Sequence, residues 1–274
     1  MASQLMQQLT ETAEHIRSIY PHTITTGIIL GSGLGNLSSE MEIEQEIAYE
    51  TIPHFPVSTV EGHQGKMIFG RLGGKRVLVM AGRFHFYEGY TPQQVSYPVR
   101  VMKMLGINNL FLSNAAGGVG EGFKVGDLMI IKDHISFFTV NPLIGANEPE
   151  LGVRFPDMSE PYYKPFMAKA KQIGRELGFD LREGVYTGVT GPTFETHAEY
   201  RLIKNIGGDA VGMSTVQEVI IAVHAGMKVF AVSVITDLGI REDDSIITHE
   251  EVLAAAKDAE PKLTALFREM VAAL

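Results

Sequence analysis

Six short apolar runs rich in β-branched residues, at 27–30, 77–81, 109–112, 128–131, 185–189 and 229–236, each meet Gly, Ser, Asn or Asp within two residues. Runs this short, cut off by turn formers, predict strands buried on both faces. Between them apolar residues recur with helical spacing over 4–19, 92–105, 164–177, 198–206, 216–225 and 249–273. Strands alternating with helices bury both patterns together in a layered α/β architecture. With 274 residues the chain can fill one such domain, and no repeat, low-complexity tract or Gly/Ser/Pro-rich linker divides it. A single domain over 1–274 is therefore expected. Thr248 stands three residues before Glu251, a capping-box start for the last helix, while Pro261 within it predicts a kink or break. The longest irregular stretch, 145–158, predicts a functional loop, because long structureless loops in compact domains are seldom idle.

Cysteine is absent, which excludes a disulfide framework, a thiolate metal site and a cysteine nucleophile. The formal net charge of −9 argues against broad nucleic-acid binding, which relies on a basic surface. It leaves room for one small anion, since a few local cations and backbone N–H groups hold that within an acidic protein. The first residues are polar, and no uninterrupted apolar run approaches the roughly 20 residues that a bilayer requires. The expectation is a soluble, cytoplasmic protein without a membrane partner.

Several strand-end segments carry chemistry. Ala81-Gly-Arg-Phe-His-Phe-Tyr-Glu-Gly89 puts a permanent cation, an imidazole and a phenol within five residues. If it is extended, alternate side chains share a face, so Arg83, His85 and Tyr87 point the same way. Arg offers a rigid fork of donors matched to phosphate oxygens, and His can add another; the alternative is a solvated strand end. Leu30-Gly-Ser-Gly-Leu-Gly35 can aim N–H groups and the Ser32 hydroxyl at an anion. Asn36 breaks the dinucleotide fingerprint and no Lys follows for a triphosphate loop, so this is a small-anion loop or a tight turn. Ser113-Asn-Ala-Ala-Gly-Gly118 reads as a second loop beyond a strand, with room for a ligand against its backbone. Ser214, in Gly212-Met-Ser-Thr-Val-Gln-Glu218, can cap the following helix or join its N–H groups in holding phosphate. Val189-Thr-Gly-Pro-Thr-Phe-Glu-Thr196 sets Phe194 beside Glu195. A carboxylate there fits a ring edge with two adjacent donors, as guanine presents, with Phe194 against the ring face. Asp237, at the end of the longest apolar run, can exchange a proton with a ligand or simply form a turn.

Taken in order, Gly31–Gly35, Gly82–Gly89, Asn114–Gly118, Gly191–Thr196, Gly212–Val216 and His249–Ala255 resemble the motif series of trimeric purine nucleoside phosphorylases, a family that includes methylthioadenosine phosphorylase. The match runs from about residue 27 to the C-terminus. The resemblance implies a mixed, twisted central β-sheet flanked by helices on both faces. It implies that Ser32, Arg83, His85, Ser214 and the backbone N–H of Ala115 hold phosphate, with His63 closing over it. Tyr87 and Met213 would contact ribose, with Tyr186 alongside and His249 on its 5′-hydroxyl. Phe194 and Val211 would pack on the base, Glu195 would grip its edge and Asp237 would sit near N7. Asp237, Glu195 and His85 are the implied catalytic groups. Phe155 would cover the ribose of a neighbouring subunit in a homotrimer, giving the long loop a purpose. Inorganic phosphate is the implied co-substrate, with no cofactor and no metal.

The reaction so implied is reversible phosphorolysis of purine nucleosides, mainly inosine and guanosine, within purine salvage. At Asp237 the chain departs from the many members that carry Asn. An amide accepts from N7–H and donates to O6, whereas an ionised carboxylate only accepts, and so suits a 6-amino group better. Glu195 pulls the other way, because adenine has no N1–H to give it. The expectation is a preference for 6-oxopurines by a reduced margin, with adenosine as an alternative substrate. A methylthioadenosine phosphorylase is the alternative enzyme, and His249 as a 5′-hydroxyl partner speaks against it. A non-catalytic nucleoside-binding protein has little use for Arg83, His85 and Ser214 together.

Overall fold

The computed structural model describes residues 3–32, 34–60, 64–240 and 247–274. The expected strands appear as β1 (Thr26–Ile29), β4 (Lys75–Ala81), β5 (Asn109–Gly118), β6 (Leu128–Ile135), β7 (Arg182–Gly188) and β9 (Lys228–Leu238). The expected helices are α1 (Gln4–Ile19), α2 (Pro92–Met104), α3 (Lys164–Glu176), α4 (His197–Asn205), α5 (Val216–His224) and α6 (His249–Ala272). Three strands were not expected: β2 (Glu42–Ala48), β3 (Lys66–Leu72) and β8 (Ala210–Gly212).

Nine strands among the described residues form one mixed sheet in the order β2-β3-β4-β1-β5-β8-β7-β6-β9, and β9 also pairs with β5. The last five strands therefore close into a ring of pairings. Strand β5 is the junction. Its first half lies between β1 and β9, both parallel to it, and its end at Gly117–Gly118 pairs antiparallel with β8. This corrects the reading of residues 113–118 as a loop. Small side chains and a continuous partner in β9 let the strand run on, with one register shift between Ala116 and Gly117.

Two helical layers flank the sheet: α2 contacts both α1 and α5, α3 contacts α6, and β9 touches both α5 and α6. Helix α6 begins at the expected capping box, with Thr248 accepting from the Glu251 N–H. No break occurs at Pro261. Val252 and Ala256 before it and Leu263 and Phe267 after it are all buried, and this packing holds the helix across the lost hydrogen bond. No helix among the described residues is long and apolar enough to cross a membrane.

Candidate active site

The carboxyl ends of β1, β4, β5 and β9 converge with β8 and the start of α5 on a cavity of about 540 Å³. The turn after β1 lies tight against β5: the Gly31 N–H donates to Ser113 Oγ at 3.2 Å. A Cβ on Gly31 would stand 2.8 Å from Asn114 Cα, so only glycine allows this approach. Ser32 and Ala115 consequently line the same wall.

Arg83 follows β4 and is 1% exposed. Its Nη1 donates to the Ser113 carbonyl at 2.6 Å and to Ser214 Oγ at 3.2 Å, and its Nε donates to Glu218 Oε1 at 3.2 Å. Backbone carbonyl, hydroxyl and carboxylate thus fix the guanidinium in one orientation. His85 leaves the strand in extended conformation, and a short 3-10 turn at Phe86–Glu88 brings its ring onto Tyr87, stacked at 4.6 Å. Arg83, His85 and Tyr87 do share the cavity wall.

Glu88, not foreseen from the sequence, organises this turn. Its Oε1 accepts from the His85 N–H at 2.7 Å and lies 3.1 Å from His85 Nδ1, while Oε2 accepts from the Thr59 N–H and hydroxyl at 2.8 and 2.6 Å. Burial opposes its ionisation, but these hydrogen bonds prevail and hold its pKa at about 2. For His85 burial dominates and lowers the pKa, against the Glu88 contact. The ring is therefore neutral near pH 7, with its proton on Nδ1 facing the acceptor-only carboxylate. Burial pushes the Tyr87 phenol up to about 12, which keeps it protonated.

Ser214 sits at the start of α5 on a backbone that Thr215 takes to φ 72°. Asn114 Nδ2 donates to Thr215 Oγ1 at 2.9 Å, tying this turn to β5. Tyr186 does not line the cavity. It is fully buried beneath it, where its hydroxyl accepts from the Ser214 N–H at 3.3 Å, and burial raises its pKa to about 12. A Cβ on Gly212 would lie 2.5 Å from that hydroxyl. Tyr186 supports the Ser214 turn from below.

A second group of side chains in the wall is acidic and apolar: Phe194, Glu195, Val211, Met213 and Asp237, with His249 and Val252 from α6. Burial raises the Glu195 pKa; a hydrogen bond with Tyr200 opposes this and the Asp237 charge reinforces it. Asp237 Oδ1 accepts from Thr236 Oγ1 at 3.2 Å. A small apolar cluster of Val119, Tyr200, Ile203 and Val211 backs this part of the cavity.

The cavity thus gathers Ser32, Arg83, His85, Tyr87, Ala115, Phe194, Glu195, Val211, Met213, Ser214, Asp237 and His249 from seven separated stretches of sequence. Phe155 is apart from it, 87% exposed on the long loop, beside a different hollow lined by Leu143, Ile144 and Ile220. His63 lies outside the described residues. Sequence reading missed Thr59, Glu88, Asn114, Tyr200 and the buried Glu218. The Glu88 signal was present, since an acidic residue three positions after His85 can cap the turn that presents it.

Residues 25–272 match the family model of the phosphorylase superfamily. Purine nucleoside phosphorylase 1 of Geobacillus stearothermophilus is 53% identical over 245 residues, 89% of either chain. Its counterpart in Bacillus subtilis (strain 168) is 48% identical over 268 residues, covering 98% of this chain and 99% of its own. Crystal structures of Schistosoma mansoni purine nucleoside phosphorylase superpose with TM-scores of 0.93 in complex with adenosine and 0.92 in complex with inosine. The sequence identities are 41% and 40%, and each superposition covers 98% of this chain and 98% or 97% of the other.

Proposed function

Since the chain belongs to the purine nucleoside phosphorylases of the phosphorylase superfamily, we propose that it cleaves purine ribonucleosides and deoxyribonucleosides reversibly with inorganic phosphate. The products are the free base and α-(deoxy)ribose 1-phosphate, and inosine and guanosine are the main substrates, as purine salvage requires. The chain acts as one domain over 1–274. One observation carries the reading: a fixed set of phosphate-matched donors and a carboxylate–aromatic set share a single cavity.

Breaking the N9–C1′ bond leaves an electron-poor, oxocarbenium-like sugar and an electron-rich purine. Phosphate held by Ser32, Arg83, His85, Ser214 and the Ala115 N–H offsets the sugar's charge and then bonds to C1′ from the face opposite the base. The pair of electrons of the broken bond stays with N9. These groups are held before substrate arrives, so little reorganisation is needed at the transition state. His63 belongs to this set by motif position alone. Neutral His85, with its proton on Nδ1, leaves Nε2 to accept from a protonated phosphate oxygen. Tyr87, Met213 and His249 take the ribose, and Phe194 and Val211 take the base. Glu195 accepts from N1–H and strengthens as negative charge spreads into the ring. Asp237 relays a proton at N7, where positioned acid catalysis contributes about 10²–10⁴-fold. Phosphate is the co-substrate, and the reading invokes no metal or cofactor.

The assembly read here is a homotrimer, in which Phe155 reaches a neighbour's ribose. Phe137, Ile144, Val153 and Phe155 lie within one loop region and are 90%, 66%, 65% and 87% exposed, an apolar display that suits a subunit interface. A second substrate reading, adenosine cleavage, is favoured by Asp237, whose carboxylate accepts from a 6-amino group.

The test is direct. Purified protein should release hypoxanthine from inosine, and guanine from guanosine, only when phosphate is supplied. Equal turnover in phosphate-free buffer would make the enzyme a hydrolase and end this reading.

A further inference from the structure

Glu218, in the first turn of α5, stands behind Arg83 and outside the cavity wall. Its side chain is 3% exposed, and Oε1 meets Arg83 Nε at 3.2 Å. Oε2 is buried with no hydrogen-bond partner among the described residues. This is a poor arrangement for stability. A buried ion pair needs excellent geometry, usually bidentate, and satisfied lone pairs to offset desolvation, and even then apolar replacements are often neutral or better. Here the contact is single and long, and one carboxylate oxygen is desolvated without a donor. Orientation alone does not require the charge either, because the Ser113 carbonyl and Ser214 hydroxyl already hold Arg83 through Nη1. What the carboxylate adds is a negative charge one guanidinium away from the cavity. Its field also reaches His85, where it opposes the effect of burial.

We propose that Glu218 sets the charge of the anion site: by neutralising Arg83 from behind, it weakens the binding of phosphate and of the pentose 1-phosphate together. Without it, donors that bind the entering dianion would retain the leaving one. Glu218 touches no substrate and acts through Arg83. The identity of the two anions rests on the phosphorylase reading above.

Glu218→Gln keeps an amide oxygen for Arg83 Nε and removes the charge. Calorimetry on nucleoside-free protein, with inorganic phosphate and then ribose 1-phosphate at fixed ionic strength, should show both binding about tenfold more tightly. In turnover, kcat and KM for inosine at saturating phosphate should fall together as product leaves more slowly, with kcat/KM within about twofold. A purely structural Glu218 predicts a lower Tm with phosphate binding unchanged or weaker, and that result overturns the proposal. If the Gln variant does not fold, Glu218→Asp draws the charge back by one methylene and should tighten phosphate by about two- to threefold. Unchanged or weaker binding there overturns the proposal equally. Wild-type protein that binds no phosphate would refute the phosphorylase reading itself. Wild-type protein that binds phosphate, with variants that do not tighten it, refutes only the charge-setting role.

Discussion

At the scale of single residues, the site sorts its carboxylates by what each is made to do. Glu195 and Asp237 face the cavity, and Glu195 is pushed toward neutrality by burial and by its acidic neighbour. Asp237→Asn should keep or sharpen a preference for inosine over adenosine, because the amide satisfies N7–H and O6 together. Glu195→Ala should damage inosine and guanosine turnover far more than adenosine turnover, since only the 6-oxopurines carry N1–H. Loss of a hydrogen bond to a charged group costs roughly 1.5–3 kcal/mol, about one to two decades in rate if felt fully at the transition state. The measurement is kcat/KM for the three nucleosides at fixed phosphate. A sharp rise in adenosine cleavage by Asp237→Asn would mean that the purine edge meets other residues. Glu88 is the opposite case, a carboxylate kept ionised and used as an acceptor. Its folded pKa of about 2 lies below its ordinary 4.5. The stabilisation it gives is therefore complete above pH 4.5 and is lost as pH falls toward 2, at most about 3 kcal/mol in all. Glu88→Gln should cost stability at pH 7, and its deficit against wild type should shrink by about 2 kcal/mol at pH 3. Denaturant unfolding at the two pH values measures this, and a deficit independent of pH would assign Glu88 a purely steric role.

At the scale of elements, the cavity depends on how closely backbone segments approach at the end of β5. Gly31→Ala puts a Cβ 2.9 Å from the Ser113 carbonyl oxygen and 2.8 Å from Asn114 Cα, neither of which can swing aside. The turn after β1 must then lift from β5, carrying Ser32 away from Ala115. Overpacking of this kind costs about 1–3 kcal/mol. The expected result is a lower Tm and a phosphate KM raised about tenfold or more, with inosine KM changed less. Full stability with unaltered phosphate KM would show that the turn has slack. The same elements explain what was legible beforehand. Five of the six expected strands and the six helices among the described residues lie within a few residues of where periodicity placed them, because their buried faces are mostly apolar, whereas β5 runs six residues further, to Gly118. Strand β2 escaped notice because Glu-Ile-Glu-Gln-Glu-Ile-Ala is mostly exposed and built from helix-favouring residues, so pairing with β3 decides its state. Strand β3 could have been found: Gly73-Gly74, both at positive φ, make the two-residue turn that joins it to β4. Strand β8 is three residues long, and only its pairing with β5 and β7 defines it. The cavity residues were legible as strand-end polar groups. Their supports, Glu218 behind Arg83 and Tyr186 beneath Ser214, were not, because each pair is far apart in sequence and meets only through the sheet.

At the scale of the molecule, the long loop between β6 and α3 carries a proposed site residue that stands apart from the cavity. The loop carries Phe155, which makes no part of its own chain's cavity, although Arg154 lies over its ring at 5.7 Å. Arg154 itself is fastened to the loop, its Nη1 donating to the carbonyls of Leu143 and Gly145 at 3.1 and 2.9 Å. The ring is thus presented on an ordered support while remaining exposed to water, an arrangement with no value to an isolated chain. In the proposed homotrimer a neighbouring copy gives it a use, covering the ribose on the side away from Tyr87, Met213 and His249. Phe155→Ala should then leave Tm nearly unchanged, because an exposed side chain contributes little to folding. It should lower kcat/KM for inosine by about one to two decades, as expected when an aromatic ring that shields a substrate is truncated. Phosphate affinity should stay within about twofold, because the proposed anion-site residues all lie within one chain. Mixing supplies the sharper measurement. An Arg83→Ala subunit has a defective anion site but an intact Phe155, and a Phe155→Ala subunit has the reverse. Mixed assemblies of the two should recover activity that neither homomer has, because some sites then combine an intact anion site with a neighbour's Phe155. Sedimentation showing a fully active monomer, or mixtures that never exceed the sum of their parts, would place the covering of the ribose within a single chain.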